Sequence, residues 1–456
     1  MKRKIVVLGG GISGYGSAIL AKKKGFDVFL SERGTIAPRF RERLDEWSVP
    51  YEEGQHTEER ILDADEVIKS PGIPDTAPLV VKIRERNIPI ISEIEFAARY
   101  KGVAKTICIT GSNGKTTTTS LIYKIMSDAG RKVSLGGNIG ESFAYSVATE
   151  KNFWYVLELS SFQLDGCYKF RADIGVLMNI TPDHLDRYDY QLDNYARSKM
   201  RITQNQVATD CFIYSADDHT TNRMLSQMDS ELRARQLPFA INTAIASGDG
   251  DAILEGHTFT ATVGKSSVTI DTRKMQISGM HNVYNAMAAA LATLAAGVEP
   301  RKIKRSIYEF SPVEHRLEPV ASGDDVAWIN DSKATNVDSV WYALESMQRP
   351  TVWIAGGTDK GNDYTPLKEF ARRKVKALVC MGLDNAKLKR EFDGIVPIIR
   401  DCDNFEDAMQ AARSLAESGD CVLLSPACAS FDLFKNYEER GRMFKAWVTT
   451  NIGKKE

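Results

Sequence analysis

Residues 105–119 read Lys-Thr-Ile-Cys-Ile-Thr-Gly-Ser-Asn-Gly-Lys-Thr-Thr-Thr-Thr, and the rest of the chain is organised around them. Ile107 to Ile109 suit a strand. Gly111 and Gly114 punctuate a tight turn. Lys115 and Thr116 then open a segment whose apolar residues, Leu121, Ile122, Ile125 and Met126, recur at helical spacing. A strand, glycine loop and helix in that order present backbone N–H groups and a helix N-terminus to an anion. The lysine reaches outer phosphates, and the threonine hydroxyl can ligate Mg²⁺. In the general GxxxxGK[ST] pattern the first glycine would fall at Ile109; here it is Gly111, so the loop is shortened. The competing reading is an ordinary glycine-rich strand-to-helix turn.

Length and composition bound the rest. A chain of 456 residues exceeds one core and suggests two to four domains at about 100–200 residues each. Apolar content of 43% with 26% charged residues is that of a soluble globular protein. A net charge of −1 gives no bulk attraction to nucleic acid or anionic membrane, so an anionic ligand must be held by local groups. The cysteines (Cys108, Cys167, Cys211, Cys380, Cys402, Cys421, Cys428) are scattered, with no CxxC pair, which argues for a reducing compartment and against a structural zinc site. The N-terminus lacks a signal-peptide pattern, and no apolar run is long enough to span a bilayer. A cytoplasmic monomer with no nucleic-acid or membrane partner is expected.

Toward the N-terminus, residues 5–8 read as a strand, and Gly9, Gly11 and Gly14 fit GxGxxG. A helix over 17–24 ends at Gly25, and a second strand over 28–30 leads to Ser31-Glu32-Arg33. That is the layout of a nucleotide-binding Rossmann unit. Glu32 could bind a ribose hydroxyl or contact another nucleotide; a ligand-free glycine turn is the plain alternative. A strand over 67–69 ends in Ser70-Pro71-Gly72, on the sheet edge that carries residues 9–14. A short strand over 88–92 and a helix over 93–100 follow, and the first boundary falls near residue 97.

The second segment alternates strands and helices. A strand over 154–161 carries Glu158, a candidate metal ligand or water orienter, or else a solvated strand-end acid. A strand over 174–179 precedes Asp183-His184-Leu185-Asp186, in which His184 is either functional or part of a helix-capping cluster. A helix over 192–202 carries Ser198 and Lys199. Residues 250–278 alternate apolar and polar residues and read as a β excursion. Asn282 and Asn285 precede an alanine-rich helix over 286–296, which they could cap. Ser311-Pro312 reads as a linker. Beyond it, strands over 326–329, 351–355, 377–381, 396–399 and 421–424 alternate with helices over 337–345, 367–373 and 405–417. This is a second doubly wound unit, with the polar clusters 330–336, 356–361 and 425–431 at its strand ends.

Taken together the motifs resemble the Mur ligases of peptidoglycan synthesis along the whole chain. They are Gly-Ser-Asn-Gly-Lys-Thr-Thr-Thr (111–118), Gly-Gly-Asn-Ile-Gly (136–140), Leu-Glu-Leu-Ser-Ser-Phe-Gln-Leu (157–164), Asp-His-Leu-Asp-Arg-Tyr (183–188), His-Asn-Val-Tyr-Asn (281–285), Glu-His-Arg-Leu-Glu (314–318), Asn-Asp-Ser-Lys-Ala-Thr-Asn (330–336) and Ser-Pro-Ala-Cys-Ala-Ser-Phe-Asp (425–432). The shortened phosphate loop is itself a family trait. The resemblance implies an α/β protein of three domains: an N-terminal Rossmann-like domain (1–97) for a uridine nucleotide, a central P-loop ATPase-type domain (98–311), and a C-terminal Rossmann-like domain (312–456) for an amino acid. Within the family it is closest to the branch that adds D-glutamate to UDP-N-acetylmuramoyl-L-alanine through an acyl phosphate, using ATP and two Mg²⁺ ions.

The same resemblance implies residue roles. Lys115 and the loop Gly111, Ser112, Asn113, Gly114, Thr116 and Thr117 hold phosphates. Thr116 and Glu158 serve one Mg²⁺; His184 and Lys199, carbamylated in the family, serve the second. Asn138, Ser160 and Gln163 match the muramoyl-alanine site. Asn282, Asn285, Arg316, Asp331 and Lys333 match the ATP side, and Thr335, Lys360, Ser430, Phe431 and Tyr437 the D-glutamate pocket. The uridine nucleotide would lie on Gly11, Ile12, Ser13, Gly14, Ser31, Glu32, Arg33, Ser70 and Gly72, although Ser31-Glu32-Arg33 departs from the Asp-Thr-Arg of some members. Closure of the C-terminal domain, bringing Lys333 and Lys360 to the site, is also implied.

Rival readings are a nicotinamide-dependent oxidoreductase, resting on GxGxxG and Glu32 alone, and a non-catalytic P-loop binding protein. Nearer rivals are a sister Mur ligase and a folylpolyglutamate-type ligase. Folate ligases typically lack the N-terminal domain, and the Asp-Asn-Pro-Arg-like signature of the diaminopimelate-adding type is missing here.

Overall fold

The computed structural model describes residues 2–228, 232–241, 250–277, 279–311, 314–323 and 325–452. Of the expectations above, Pro312 of the linker lies outside them. The chain divides into two compact units. One comprises residues 1–275 and 284–310; the other comprises 276–283 and 311–456.

The first unit holds two sheets. Strands β1 (Lys4–Leu8), β2 (Asp27–Ser31), β3 (Tyr51–Glu52), β4 (Glu66–Lys69) and β5 (Ile90–Ile91) form a parallel sheet in the order β3-β2-β1-β4-β5. The order reverses at β1, so the crevice beyond the ends of β1 and β4 is the topological switch point where such sheets bind ligands. Gly9 and Ser70 lie there, so close that a Cβ on Gly9 would come within 2.5 Å of the Ser70 hydroxyl. The first helix, Ile12–Lys23, starts directly from the glycine loop, five residues earlier than periodicity indicates, because its first turns are buried and almost uniformly apolar or small.

The second sheet contains β6 (Lys105–Thr110), β7 (Val133–Gly137), β8 (Trp154–Glu158), β9 (Ile174–Leu177), β10 (Cys211–Ser215), β11 (Arg235–Ala240), β12 (Gly250–Glu255), β13 (Thr258–Val263) and β14 (Ser266–Asp271). Its order is β14-β13-β12-β11-β10-β9-β6-β8-β7, parallel except for the antiparallel meander β12-β13-β14. The β excursion expected over 250–278 is that meander as far as Asp271; a 3₁₀ turn, Thr272–Lys274, follows, and Ser278 lies outside the described residues. The strand expected over 154–161 stops at Glu158, because Ser160 caps the short helix Ser161–Asp165. The alanine-rich helix runs over Met280–Ala295, so Asn282 and Asn285 lie within it and do not cap it; the break comes at Gly279, whose φ is +91°.

In the second unit, β15 (Glu318–Gly323), β16 (Val326–Asn330), β17 (Thr351–Gly356), β18 (Val375–Met381), β19 (Ile398–Cys402) and β20 (Cys421–Ala427) form a sheet ordered β15-β16-β20-β17-β18-β19. All neighbours are parallel except β15 with β16. Because β16, β20 and β17 are neighbours, the three polar clusters share one edge, as expected. Sequence reading missed β15, an edge strand that contains Pro319 and a register shift between Pro319 and Ala321. It placed β19 two residues early, since the polar Arg400 and Asp401 lie in this edge strand. It also missed the helices Ala386–Phe392 and Tyr437–Asn451.

Candidate active site

The phosphate loop is shaped by glycines where side chains have no room. Gly111 has φ +145°, and a Cβ there would lie 2.9 Å from Met178 Cβ. Gly114 has φ +82°, and a Cβ would lie 2.5 Å from Asn285 Oδ1. Asn179, just past β9, accepts from the Ser112 N–H on its carbonyl (2.9 Å) and from the Asn113 N–H on its side chain (2.8 Å). Helix Lys115–Asp128 then begins from Gly114 without a capping side chain, which leaves its positive dipole end for an anion.

Two lysine side chains meet at this loop. Lys115 Nζ donates to the carbonyl oxygens of Gly111 (2.7 Å) and Ser112 (2.8 Å). Lys199 Nζ donates to the same Gly111 oxygen (2.8 Å) and lies 4.5 Å from the Tyr195 ring centroid. Lys199 is 1% exposed. Burial, and then the charge on Lys115, push its amine well below its ordinary value.

Glu158 ends β8 beside β6, in register with Ile109. It is buried; Oε1 accepts from Asn138 Nδ2 (2.8 Å), and among the described residues Oε2 has no hydrogen-bond partner. A carboxylate oxygen buried in that state is costly unless something positive reaches it. His184 adopts φ +53°; its ring stands edge-on to Phe162 at 5.3 Å, and Nε2 lies 3.6 Å from Asp183 Oδ2. Thr116 and Thr117 are buried in the first turn of the loop's helix, and Asn285 Oδ1 accepts from the Thr118 hydroxyl (3.1 Å). Ser160 and Gln163 form a reciprocal capping box, which holds both side chains in place at the end of β8.

At the other glycine loop, Glu32 turns back on its own chain, accepting from the N–H groups of Gly10 and Gly34 at 2.6 Å each. Ser31 donates to Glu52 Oε1 (2.6 Å) and lies 2.6 Å from His56 Nδ1. Ser13 is buried, whereas Arg33 and Gly72 are exposed.

The second unit has its own cluster. Asp331 is buried; its carboxylate accepts from the Ser425 hydroxyl (2.8 Å) and the Leu317 N–H (3.2 Å). Burial outweighs the nearby Arg316 and pushes it up to about 7. Arg316 Nε is buried without a partner among the described residues. Lys333 Nζ lies 5.4 Å from the Tyr437 ring centroid. The Thr335 N–H donates to the Lys333 carbonyl, Ser430 is buried, and Lys360 and Phe431 are exposed. Asn282 belongs to this unit, and its N–H donates to Gly279.

Sequence reading missed Asn179, and it missed Arg440. The Arg440 guanidinium is fully buried and donates to Ser332 Oγ (3.0 Å) and to the carbonyls of Ser332 (2.9 Å) and Cys428 (3.3 Å), tying two of the polar clusters together. Its signal was present: Arg440 falls on the stripe Tyr437, Gly441, Phe444 and Val448, the face that a helix buries.

Comparison with known proteins agrees over the whole chain. Residues 4–78 match the MurD N-terminal domain, 109–293 the Mur ligase middle domain, and 315–428 the Mur ligase, glutamate ligase domain. The chain is 53% identical over 447 residues to UDP-N-acetylmuramoylalanine–D-glutamate ligase of Bacteroides fragilis, covering 98% of this chain and 99% of that one. It is 50% identical to the enzyme of that name from Porphyromonas gingivalis, with the same coverage. Among solved structures, UDP-N-acetylmuramate-alanine ligase MurC from Thermotoga maritima shares the fold with a TM-score of 0.62 at 18% identity, over 98% of this chain and 99% of that one.

Proposed function

The chain belongs to the Mur ligase family, and on that premise we propose that it joins D-glutamate to UDP-N-acetylmuramoyl-L-alanine in an ATP-driven step of peptidoglycan precursor synthesis. The observation that carries this reading is the meeting of Lys115 and Lys199 on Gly111, at a shortened phosphate loop flanked by the buried carboxylate of Glu158. A nicotinamide enzyme has no use for that arrangement.

The substrate carboxylate oxygen forms a bond to the γ-phosphorus as ADP leaves. The amine of D-glutamate then attacks the acyl carbon and loses a proton, and the tetrahedral adduct expels inorganic phosphate to leave the amide. The reaction gathers a triphosphate, a carboxylate and a dicarboxylate, so the protein's task is positioning and charge compensation. Lys115 and the amides of residues 111–117 hold the β- and γ-phosphates. By family resemblance Asn282, Asn285, Arg316, Asp331 and Lys333 are the residues assigned to ATP.

Mg²⁺ ions supply charge neutralisation when bound, and the residues fit them. Glu158 Oε2 is a buried carboxyl oxygen with no hydrogen-bond partner among the described residues, and with Thr116 it would hold one ion. His184 and Lys199 would hold a second. As an ammonium, Lys199 would repel a metal; its depressed basicity favours the neutral amine, which can add CO₂ and release a proton to become an anionic carbamate. Among the described residues no three His, Cys, Asp or Glu side chains converge, so such a carbamate would supply a ligand that the acids present do not.

Asn138, Ser160 and Gln163 would meet the muramoyl-alanine portion. Residues 11–14, Ser31, Glu32, Arg33, Ser70 and Gly72 would take the uridine nucleotide, and Thr335, Lys360, Ser430, Phe431 and Tyr437 the D-glutamate. Domain limits at 97 and 311, a monomeric state and a cytoplasmic location complete the proposal; among the described residues no helix is long and apolar enough to cross a membrane.

The test is phosphate release from ATP and Mg²⁺ with UDP-N-acetylmuramoyl-L-alanine, offering D-glutamate, L-glutamate, L-lysine and meso-diaminopimelate in parallel. Turnover with D-glutamate alone is expected. Turnover with another amino acid would retain a ligase and overturn the pocket assignment; ATP binding without turnover would overturn the reaction.

A further inference from the structure

The turn over residues 136–141 is held at both ends. At one end Asn138 grips Glu158 twice, from its side-chain amide to Oε1 and from its N–H to the carbonyl oxygen, each at 2.8 Å. Gly137 makes this approach possible, since a Cβ there would lie 2.2 Å from the Glu158 carbonyl oxygen. At the other end Glu141 contacts elements that pack on the first sheet. Its Oε1 accepts from the Tyr15 hydroxyl and from the Ser142 N–H (2.8 Å), and its Oε2 from Arg43 Nη1 (2.9 Å). Arg43 also donates to the Tyr15 oxygen at 2.5 Å.

Tyr15 is fully buried on the first turn of helix Ile12–Lys23, the helix that opens from the first glycine loop. Between the two ends the backbone closes on itself: the Glu141 N–H donates to Leu135 (3.3 Å), and Gly140, at φ +74°, would put a Cβ 2.7 Å from the same oxygen. Glu93 adds a parallel tie. It is 2% exposed and accepts from the Ser142 hydroxyl and the Ala144 N–H (3.0 Å). Helix Ile12–Lys23 passes so near that a Cβ on Gly16 would lie 1.8 Å from Ser142 Oγ.

We infer that Glu141, with Tyr15 and Arg43, is a positioning set that couples occupancy of the first glycine loop by a uridine diphosphate to the orientation of Glu158. This rests on the nucleotide assignment proposed above. Hydrogen bonds join the buried Tyr15 to the half-buried Arg43 and Glu141, and join the exposed Asn138 to the buried Glu158; between Glu141 and Asn138 runs only short, glycine-tightened backbone, so a shift of the helix has little slack in which to dissipate. The charges suit a constant relay. Burial alone would raise the Glu141 carboxyl, but donation from Arg43 and Tyr15 outweighs it and holds it below its ordinary value. Burial, then the bond to Glu141, push the Tyr15 hydroxyl far above its ordinary value, so it stays a donor at neutral pH.

The test is hydrogen–deuterium exchange of the full chain with and without UDP, on wild type, Tyr15→Phe and Arg43→Met, with kcat and KM measured beside it. UDP is expected to protect residues 9–14 and 136–142 in wild type. In Tyr15→Phe, protection over 9–14 persists, that over 136–142 is lost, and kcat falls about tenfold while the KM for ATP stays within about twofold. Arg43→Met, on the more exposed side of the cluster, gives the same pattern if Tyr15→Phe does not fold. Unchanged UDP protection of 136–142 in the folded variants, or wild-type kcat, overturns the coupling. Absence of UDP protection over 9–14 in wild type overturns the nucleotide assignment and the coupling with it, while turnover with D-glutamate would still support the reaction.

Discussion

Lys115 and Lys199 place both side-chain nitrogens on one acceptor, the Gly111 carbonyl oxygen, at 2.7 and 2.8 Å. Two ammonium ions do not share one oxygen comfortably in a buried site, and Lys199 is the one driven toward its neutral form. On the proposed function the pair would divide into a phosphate-binding lysine, Lys115, and an amine able to become a carbamate, Lys199.

That division predicts different losses. Lys115→Met removes the charge proposed to bind phosphate, and kcat should fall about 10²–10³-fold. Lys199→Arg keeps a cation that cannot form the carbamate and should be about equally inactive. With ¹³C-bicarbonate, wild type should show a carbamate carbon resonance that Lys199→Arg lacks; its absence from active wild type would refute the modification.

Glu158→Gln should separate activity from stability. The amide keeps an acceptor for Asn138 and removes a buried negative charge that has an unpartnered oxygen. Thermal unfolding without metal should show a gain of about 1 kcal/mol. Phosphate release should fall about 10²-fold or more.

Asp331 gives a pH signature. Its native carboxyl is pushed up to about 7 by burial, above its value of 3.8 in an unfolded chain. The native state thus holds this proton more tightly, and the associated stability is complete below about pH 4 and lost as pH rises through 7. Asp331→Asn has no such loss. Denaturant unfolding should show the variant gaining on wild type from pH 4 to pH 8, by up to about 4 kcal/mol. A difference that is flat with pH would show that Asp331 is ionised throughout.

Gly114→Ala tests the loop. Its φ of +82° and the 2.5 Å approach to Asn285 Oδ1 leave no place for a methyl group. Destabilisation of about 1–3 kcal/mol is expected, with weaker ATP binding by calorimetry.

The strand–glycine–helix units, the α/β class of the chain and the residues of the 111–117 loop could be read from residue order alone. Each depends on neighbours in the chain: apolar periodicity, glycine at turns, lysine and threonine at a helix start. Contacts between distant segments could not be read that way. Asn179 braces the loop from just past β9, Lys199 meets Gly111 across 88 residues, and Glu141 meets Tyr15 across 126. The edge strand Glu318–Gly323 exists because β16 offers it a partner, not because of its own propensity. Arg440 is enclosed only once the helix Tyr437–Asn451 packs on its sheet. Local pattern sets which element forms; burial and long-range hydrogen bonding, which arise only when the elements pack, decide which side chains become neutral, orphaned or aimed at one another.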